Sequence, residues 1–349
     1  MQISQRRIEI NNMNRRKVLL SGVSAGALGA SLAFPSVVWG RAQFNLKCAN
    51  IMPTDHPLNI RLREASDKIR ERTNGQVNIQ IFPASQLGND ADMLAQLRSG
   101  GIDYFVQTGL ILASLVPVAA INGIGFSFSD YSKVWSAMDG GLGKHVIKAF
   151  DKVNLIAFDK MWDNGFRQTL SVAKPIRTPE DLKGFKIRVP PSPLWTAMFK
   201  AIGASPVSIP WGETYSAMQT KVADGLENPL AGIYFAKMYE VGKFISNTNH
   251  MWDGFWFVAN RRSFEAMPES ARDIVTKNIN EAALKERADV EKLNATLKSD
   301  LGAKGIQFVD VNPDAFREKL NKSGFYSEWK ARMGEEAWGR LEAVSGKLA

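Results

Sequence analysis

Cysteine and histidine are scarce in this chain of 349 residues. Cys48 is the single cysteine, so no internal disulfide is possible, and its place in the apolar segment "NLKCANI" favours a buried core residue over a thiol nucleophile. His56, His145 and His250 lie far apart, and none has a metal-ligand neighbour at a useful spacing. The sequence therefore predicts no metal site and no cofactor.

Motifs of catalysis and of nucleic-acid binding are also missing. No GxSxG nucleophile motif occurs after residue 42, and no pair of acidic residues stands out as a general acid and base. Its formal net charge is +9, of which residues 1–42 contribute +5 and the remainder +4, with acids and bases interspersed. Because there is no basic block or aromatic-basic ladder, we expect no nucleic-acid partner, and we predict that the chain is not an enzyme.

The only apolar stretch that resembles a targeting segment is N-terminal. "NRRKVLLSG" (14–22) places two adjacent arginines before residues rich in alanine and glycine, which resembles a twin-arginine export signal. Val18 stands where phenylalanine is commoner, so the Sec route is an alternative. A membrane anchor is disfavoured because the stretch is short and interrupted. We predict that residues 1–42 are a signal peptide, that translation starts at Met13, and that the mature protein is periplasmic.

Strand-like and helix-like segments alternate in the rest of the chain. Apolar alternation predicts strands, and apolar residues at helical spacing predict amphipathic helices between them. This order predicts an α/β fold with a mainly parallel sheet that is covered by helices. The first expected strands are 44–51, 76–83 and 102–109, and the helices between them are 58–75 and 90–101.

One predicted helix is unusually long. Residues 269–301 contain no glycine or proline, Pro268 precedes them, and Gly302 follows, which is the expected asymmetry of helix ends. At about 1.5 Å per residue such a helix measures roughly 50 Å, more than the width of a small domain. It is expected either to brace two domains or to be kinked.

Two arginines and one asparagine are the best binding candidates in the sequence. In "GFKIRVPPSPLW", Arg188 alternates with two apolar residues on a short strand, and a buried arginine requires an anion. Arg167 lies in "MWDNGFRQTL", and Asn228 lies in "VADGLENPLAGIY". A guanidinium suits a carboxylate and an asparagine adds a further hydrogen bond. The alternatives are internal ion pairs for the arginines and an ordinary turn at Asn228.

Several tryptophans lie close to these polar residues in the sequence. Trp162, Trp211 and Trp252 are candidates for the apolar wall of a binding cleft. Each of them is more often a residue of the hydrophobic core than a ligand platform.

Together, these segments resemble the solute-binding subunit of tripartite ATP-independent periplasmic (TRAP) transporters of the dicarboxylate-binding DctP family. The resemblance covers nearly the whole mature chain and includes "NGFRQT", "TPEDLKGFKIRVP" and "ADGLENP" in order. It implies a two-domain periplasmic binding protein fold (type II-like) with a ligand cleft between the domains, hinge strands and a long bracing helix. We expect domain I at 43–164 plus 254–293 and domain II at 165–253 plus 294–349.

The resemblance also implies roles for residues. Arg188 would form a salt bridge with a ligand carboxylate, assisted by Arg167 and Asn228, while Trp211 would line the cleft. The first domain would contribute polar residues that vary in the family, here Asp90, Gln107 and Thr108. Relatives that bind sialic acid carry a glutamate near 107–108, and no acid stands there, which argues against an amino-sugar acid.

The partners follow from the same resemblance. A monomeric receptor would carry a C4-dicarboxylate, a hydroxy or oxo acid, a sugar acid or an aromatic acid to small and large membrane subunits, which use an ion gradient for uptake. A periplasmic sensor subunit that presents the acid to a signalling protein is the alternative, and an enzyme on the same frame is a weaker one.

Overall fold

The structure is a computed structural model that describes residues 42–348. The predicted signal peptide lies, apart from its last residue, outside this range, as does Met13, so both stay predictions. No helix within residues 42–348 combines the length and the apolar character needed to cross a membrane.

The strands of residues 42–348 form one mixed sheet of ten strands. They are β1 (Phe44–Asn50), β2 (Val77–Phe82), β3 (Tyr104–Thr108), β4 (Leu155–Ala157), β5 (Trp162–Ser171), β6 (Lys186–Val189), β7 (Ser205–Ser208), β8 (Gly225–Pro229), β9 (Phe244–Asn260) and β10 (Gln307–Asp310). Their order is β2-β1-β3-β9-β5-β8-β6-β7, while β4 and β10 pair with β9.

The helices pack around this sheet. They are α1 (Pro57–Arg72), α2 (Asp90–Ser99), α3 (Gly109–Leu112), α4 (Tyr131–Met138), α5 (Gly141–Asp151), α6 (Pro193–Ala201), α7 (Thr214–Gln219), α8 (Leu230–Phe235), α9 (Arg261–Glu265), α10 (Glu269–Ala303), α11 (Pro313–Lys322), α12 (Phe325–Met333) and α13 (Glu335–Ser345). Short 3₁₀ turns lie at Pro117–Gly123, Pro179–Leu182, Trp211–Glu213 and Met238–Glu240.

The α/β prediction is confirmed, but the sheet is mixed: its outer strands and the β9–β10 pair are parallel, whereas the other pairs of β5 and β9 are antiparallel. Strand β1 runs parallel to β2 and β3, and β6 runs parallel to β7 and β8. The central strands β5 and β9 are antiparallel to each other. The prediction of a mainly parallel sheet is wrong there because the chain crosses the middle of the molecule once in each direction.

Strands β5 and β9 connect the two halves of the molecule. The start of β9 pairs with β10, and its last residues pair with β4 and β3. The 35-residue helix α10 packs on α1, on β5 and on α8, so it spans the same two halves. The long helix thus braces the fold as expected, and the proposed domain boundaries stay predictions.

The two halves share buried apolar contacts. One hydrophobic cluster includes Phe105 of β3 and Trp195 of α6, which belong to different predicted domains. Cys48 is fully buried in β1, which confirms its interpretation as a core residue. The halves are therefore packed against each other in this structure.

Candidate functional site

A small cavity lies where the two halves meet. Seven residues that the sequence singled out line it, and all seven are buried. They are Asp90, Gln107, Thr108, Arg167, Arg188, Trp211 and Asn228. Residues far apart in the sequence thus converge on one small volume.

Arg188 is the cation in this cavity that has no anionic partner. Its neighbours Ile187 and Val189 on β6 are fully buried in the core, so the strand alternation turns the guanidinium the other way. Nε donates a hydrogen bond to the Ile209 carbonyl oxygen at 2.8 Å. Cζ lies 5.4 Å from the ring centroid of Trp211, and Nη1 is buried without a hydrogen-bond partner.

No salt bridge within the described residues compensates the charge of Arg188, although Glu227 and Asp90 act on it from a greater distance. No carboxylate of residues 42–348 forms a salt bridge with it, although only 1% of the residue is exposed. Burial lowers the pKa of Arg188 to about 10, so the side chain remains a cation at neutral pH. A buried cation of this kind is costly unless an anion joins it.

Arg167 is paired within the protein. Its Nε and Nη2 atoms bind Glu227 Oε2 and Oε1 at 2.5 and 2.8 Å, and Nη1 binds Asp253 Oδ2 at 2.8 Å. The guanidinium also lies over the ring of Trp195 at 4.7 Å. Burial alone would lower the pKa of Arg167, but the two carboxylates raise it overall. Of the two interpretations left open by the sequence, the internal ion pair is the one observed.

A buried polar network extends from this ion pair. His250 Nε2 lies 3.1 Å from Glu227 Oε2, and its Nδ1 lies 2.8 Å from the hydroxyl of Thr248. Burial lowers the pKa of His250, so the ring is neutral at pH 7. Asn164 Nδ2 donates to Asp253 Oδ2 at 2.9 Å. These residues were not among the candidates from the sequence, although the acid in the aromatic run "WDGFWF" and the acid in "LENP" were visible signals.

The first half of the chain contributes the opposite wall of the cavity. Asp90, at the start of α2, accepts a hydrogen bond from Gln107 Nε2 at 2.6 Å. The Thr108 hydroxyl donates to Asp253 Oδ1 at 2.5 Å, which links β3 to β9. Burial raises the pKa of Asp90, while the charge of Arg188 opposes this shift. The three residues named from the family resemblance therefore lie at the cavity, close to the arginines.

Asn228 lies near the end of β8, opposite Gln168 of β5. Pro229 follows it and ends the strand before α8 begins. The Asn228 side chain lines the cavity, and its amide makes no hydrogen bond with residues 42–348. It is therefore available to a ligand.

Two predicted cleft residues lie elsewhere. Trp162 and Trp252 are buried in the hydrophobic core and do not line the cavity, so their interpretation as ligand platforms is corrected. Trp252 Nε1 donates to Asp163 Oδ1 at 2.9 Å, which satisfies its polar atom inside the core. Nearness in sequence did not indicate which side of β5 and β9 these rings occupy. Trp195 lines the cavity instead, together with Trp211.

Within the part of the chain that the structure describes, no group of three histidine, cysteine or acidic side chains is arranged to hold a metal ion.

Two α/β halves that enclose a buried cavity with an unpaired arginine define a solute-binding receptor of the periplasmic binding type. The chain belongs to the DctP family, bacterial extracellular solute-binding protein family 7, whose model matches residues 48–324.

Individual relatives agree with this assignment. The 2,3-diketo-L-gulonate-binding periplasmic protein of Escherichia coli K12 is 30% identical over 263 residues, which are 75% of this chain and 80% of that protein. An uncharacterised protein of Sinorhizobium fredii is 34% identical over 239 residues; the match covers 67% of this chain and only 44% of that longer relative.

Solved structures of TRAP periplasmic solute-binding proteins are similar along nearly their whole length. One from Desulfovibrio salexigens, with bound orotic acid, is 30% identical with a TM-score of 0.81 and covers 88% of this chain and 100% of its own. Another from Sulfurospirillum deleyianum, with bound succinate, is 29% identical with a TM-score of 0.80 and covers 87% and 99%.

Proposed function

We propose that this protein is the extracytoplasmic solute receptor of a TRAP transporter and that Arg188 binds the carboxylate of a small organic acid. The observation that carries this proposal is the buried Nη1 atom of Arg188, which has no hydrogen-bond partner beside a cavity. A carboxylate there would receive a charge-assisted hydrogen bond and would compensate the buried charge. Asn228 would supply a further hydrogen bond, and Trp211 would cover the ion pair.

Arg167 has a supporting role in this proposal. Because Glu227 and Asp253 already occupy its guanidinium, it has little charge left for the ligand. It holds β5, β8 and β9 together beside the cavity. The ligand would therefore rely on one arginine, which is compatible with the differing acids, 2,3-diketo-L-gulonate, orotic acid and succinate, named for the relatives.

The burial of the cavity requires the two halves to separate before a ligand enters. Arg188, Asp90 and Gln107 are each less than 5% exposed, so no acid reaches them from solvent in this arrangement. Strands β5 and β9 and helix α10 are the connections about which the halves would move. Closure over the acid would expel water and strengthen the ion pair, and the ligand would favour the closed state through contacts made only there.

The closed receptor would then deliver its ligand to small and large membrane subunits in the periplasmic space, for uptake driven by an ion gradient. It would act as a monomer, without enzymatic activity. Small-angle X-ray scattering measures the closing step: the radius of gyration should fall when a binding acid is added, and it should not change for an Arg188→Ala protein.

A thermal-shift screen against small organic acids tests the function itself. A ligand at 100 times its dissociation constant raises the free energy of unfolding by about 2.7 kcal/mol, which is readily seen as a higher melting temperature. At least one carboxylic acid should stabilise the wild-type protein and fail to stabilise the Arg188→Ala protein. Equal stabilisation of both proteins would contradict the proposal.

A further inference from the structure

The charges on the cavity wall are unequally compensated. Arg167 is paired with Glu227 and Asp253, so this group of three carries no free positive charge. Arg188 and Asp90 remain, each buried and without a salt bridge among residues 42–348. The cavity therefore has one unpaired cation and one unpaired acidic group, which come from opposite halves of the molecule.

The wall near Asp90 offers hydrogen-bond acceptors. Asp90 accepts from Gln107 Nε2 and faces the backbone N–H of Trp211, and a carboxylate has about four acceptor positions, so it keeps capacity for further donors. Asn164 also lines the cavity, and its Nδ2 is used by Asp253 while its Oδ1 is buried without a partner. An unpartnered acceptor buried at a cavity requires a donor from the ligand.

We propose that the ligand is a hydroxylated monocarboxylic acid, with its carboxylate on Arg188 and its hydroxyl groups donating to Asp90 and Asn164. The inference rests on the proposed function, because it takes the carboxylate at Arg188 as given. It assigns Asp90 as the residue that determines specificity. The receptor selects hydroxy acids and rejects dicarboxylates of the same length.

Repulsion explains the rejection of dicarboxylates. A second ligand carboxylate has only acceptor atoms, so it cannot bond to Asn164 Oδ1, and it would lie beside the acidic group of Asp90 with no second unpaired cation to balance it. Such a like-charge contact in a buried site lowers the affinity for a dicarboxylate. A hydroxyl group donates its proton to the same atoms and brings no charge.

An ammonium group is the other donor that Asp90 could accept, but it fits less well. An ammonium group has three N–H donors and a large cost of desolvation, whereas the acceptors identified on this wall are Asp90 and Asn164 Oδ1. A neutral hydroxyl needs only one acceptor and avoids this cost. Amino acids therefore form a separate arm of the test.

The experiment is a calorimetric comparison of matched acids on the purified wild-type protein. The panel contains butanoate, succinate, malate and the stereoisomers of 2,3,4-trihydroxybutanoate, the corresponding six-carbon set of hexanoate, adipate and hexonates, and α-amino acids of similar size. At least one polyhydroxy monocarboxylate should bind at least tenfold more tightly than the dicarboxylate and the unsubstituted acid of its length. A dicarboxylate, an unsubstituted acid or an amino acid as the tightest ligand would overturn the inference.

The variant Asp90→Asn tests the selecting residue. It keeps the shape of the side chain but removes the charge, so affinity for the hydroxy acid should fall about tenfold while affinity for the matched dicarboxylate rises. Asp92→Asn is the control, because Asp92 is exposed on the first turn of the same helix and does not line the cavity. It should leave the ratio of the two affinities unchanged. An unchanged ratio in Asp90→Asn would contradict the role assigned to Asp90.

The Arg188→Ala variant separates failure of this inference from failure of the proposed function. If a dicarboxylate binds tightest and its binding disappears in Arg188→Ala, the receptor function stands and the hydroxy-acid inference is wrong. If binding of the tightest acid is unaffected by Arg188→Ala, or if neither this panel nor the wider thermal-shift screen of organic acids yields a ligand at millimolar concentration, the proposed function is wrong as well.

Discussion

Arg167 of β5 and Glu227 of β8 are joined across the two strands by two hydrogen bonds of 2.5 and 2.8 Å between guanidinium and carboxylate. Arg188 lies on the next strand, β6, where it is paired in register with Leu226 of β8. It has no such carboxylate. The two neighbouring buried arginines therefore differ in function. Arg167 holds strands together, whereas Arg188 is available to bind the anion of a ligand.

This difference predicts opposite effects on stability. Arg167→Met leaves Glu227 and Asp253 buried without their partner and should lower the free energy of unfolding by about 3–5 kcal/mol. Arg188→Met removes an uncompensated buried cation and should leave the stability of the ligand-free protein unchanged or raise it. Urea denaturation without ligand measures both values. Similar losses in the two variants would show that Arg188 has a hidden structural partner.

Tryptophan fluorescence should report on the cavity through particular rings. Trp195 and Trp211 line it, whereas Trp162 and Trp252 lie in the core. A binding acid should change the emission of the wild-type protein, and Trp211→Phe should remove much of this change. Trp252→Phe is the matched control and should retain it. The opposite pattern would restore Trp252 as a cleft residue.

A pair of buried acids predicts how stability depends on pH. The backbone N–H of Asp163 on β5 donates to Glu286 Oε2 of α10 at 2.8 Å, and both side chains are buried. Burial raises the pKa of Asp163 to about 7 and raises that of Glu286 well above its ordinary value. Unfolded carboxyl groups ionise near pH 4, so the folded state binds more protons between about pH 4 and pH 7. Stability should therefore decrease as the pH rises through this range.

Glu286→Gln tests this dependence, because it removes one of the two acids that repel each other. The variant should be more stable than wild type at pH 8, by about 1–3 kcal/mol, and its stability should vary less between pH 5 and pH 8. Glu291→Gln, at an exposed position of the same helix, is the control and should follow the wild type. Thermal unfolding across this pH range gives the comparison. If the stability of Glu286→Gln depended on pH more steeply than that of the wild type, the assignment of this pH dependence to the two buried acids would be refuted.

The sequence was informative where structure depends on local patterns. The helix expected at 269–301 is observed as Glu269–Ala303, and the first strands and helices lie within a few residues of their predicted bounds. Glycine, proline and the spacing of apolar residues determine such boundaries locally. Arg188 could be selected for the same reason, since its neighbours on the strand are apolar.

The antiparallel pairing of β5 and β9 at the centre of the sheet, and the ion pairs of Arg167, could not be predicted from local patterns. Strand β9 is buried along most of its 17 residues, so it lacks the alternation that marks a half-exposed strand. The partners of Arg167 lie 60 and 86 residues away, and they reach it through the register of β5 with β8 and β9, which shifts beside Arg167. Such a register is decided by packing between distant segments.

Calorimetric titration of an Arg188→Ala protein with the acid that binds the wild type most tightly measures what the Arg188 guanidinium contributes to ligand binding. Removal of the guanidinium should cost about 2–5 kcal/mol of binding free energy, because the ligand carboxylate is then buried without its partner. Arg188→Lys should also bind more weakly, since an ammonium group cannot reproduce the planar donor geometry. Wild-type affinity in Arg188→Ala would show that Arg188 does not bind the ligand carboxylate.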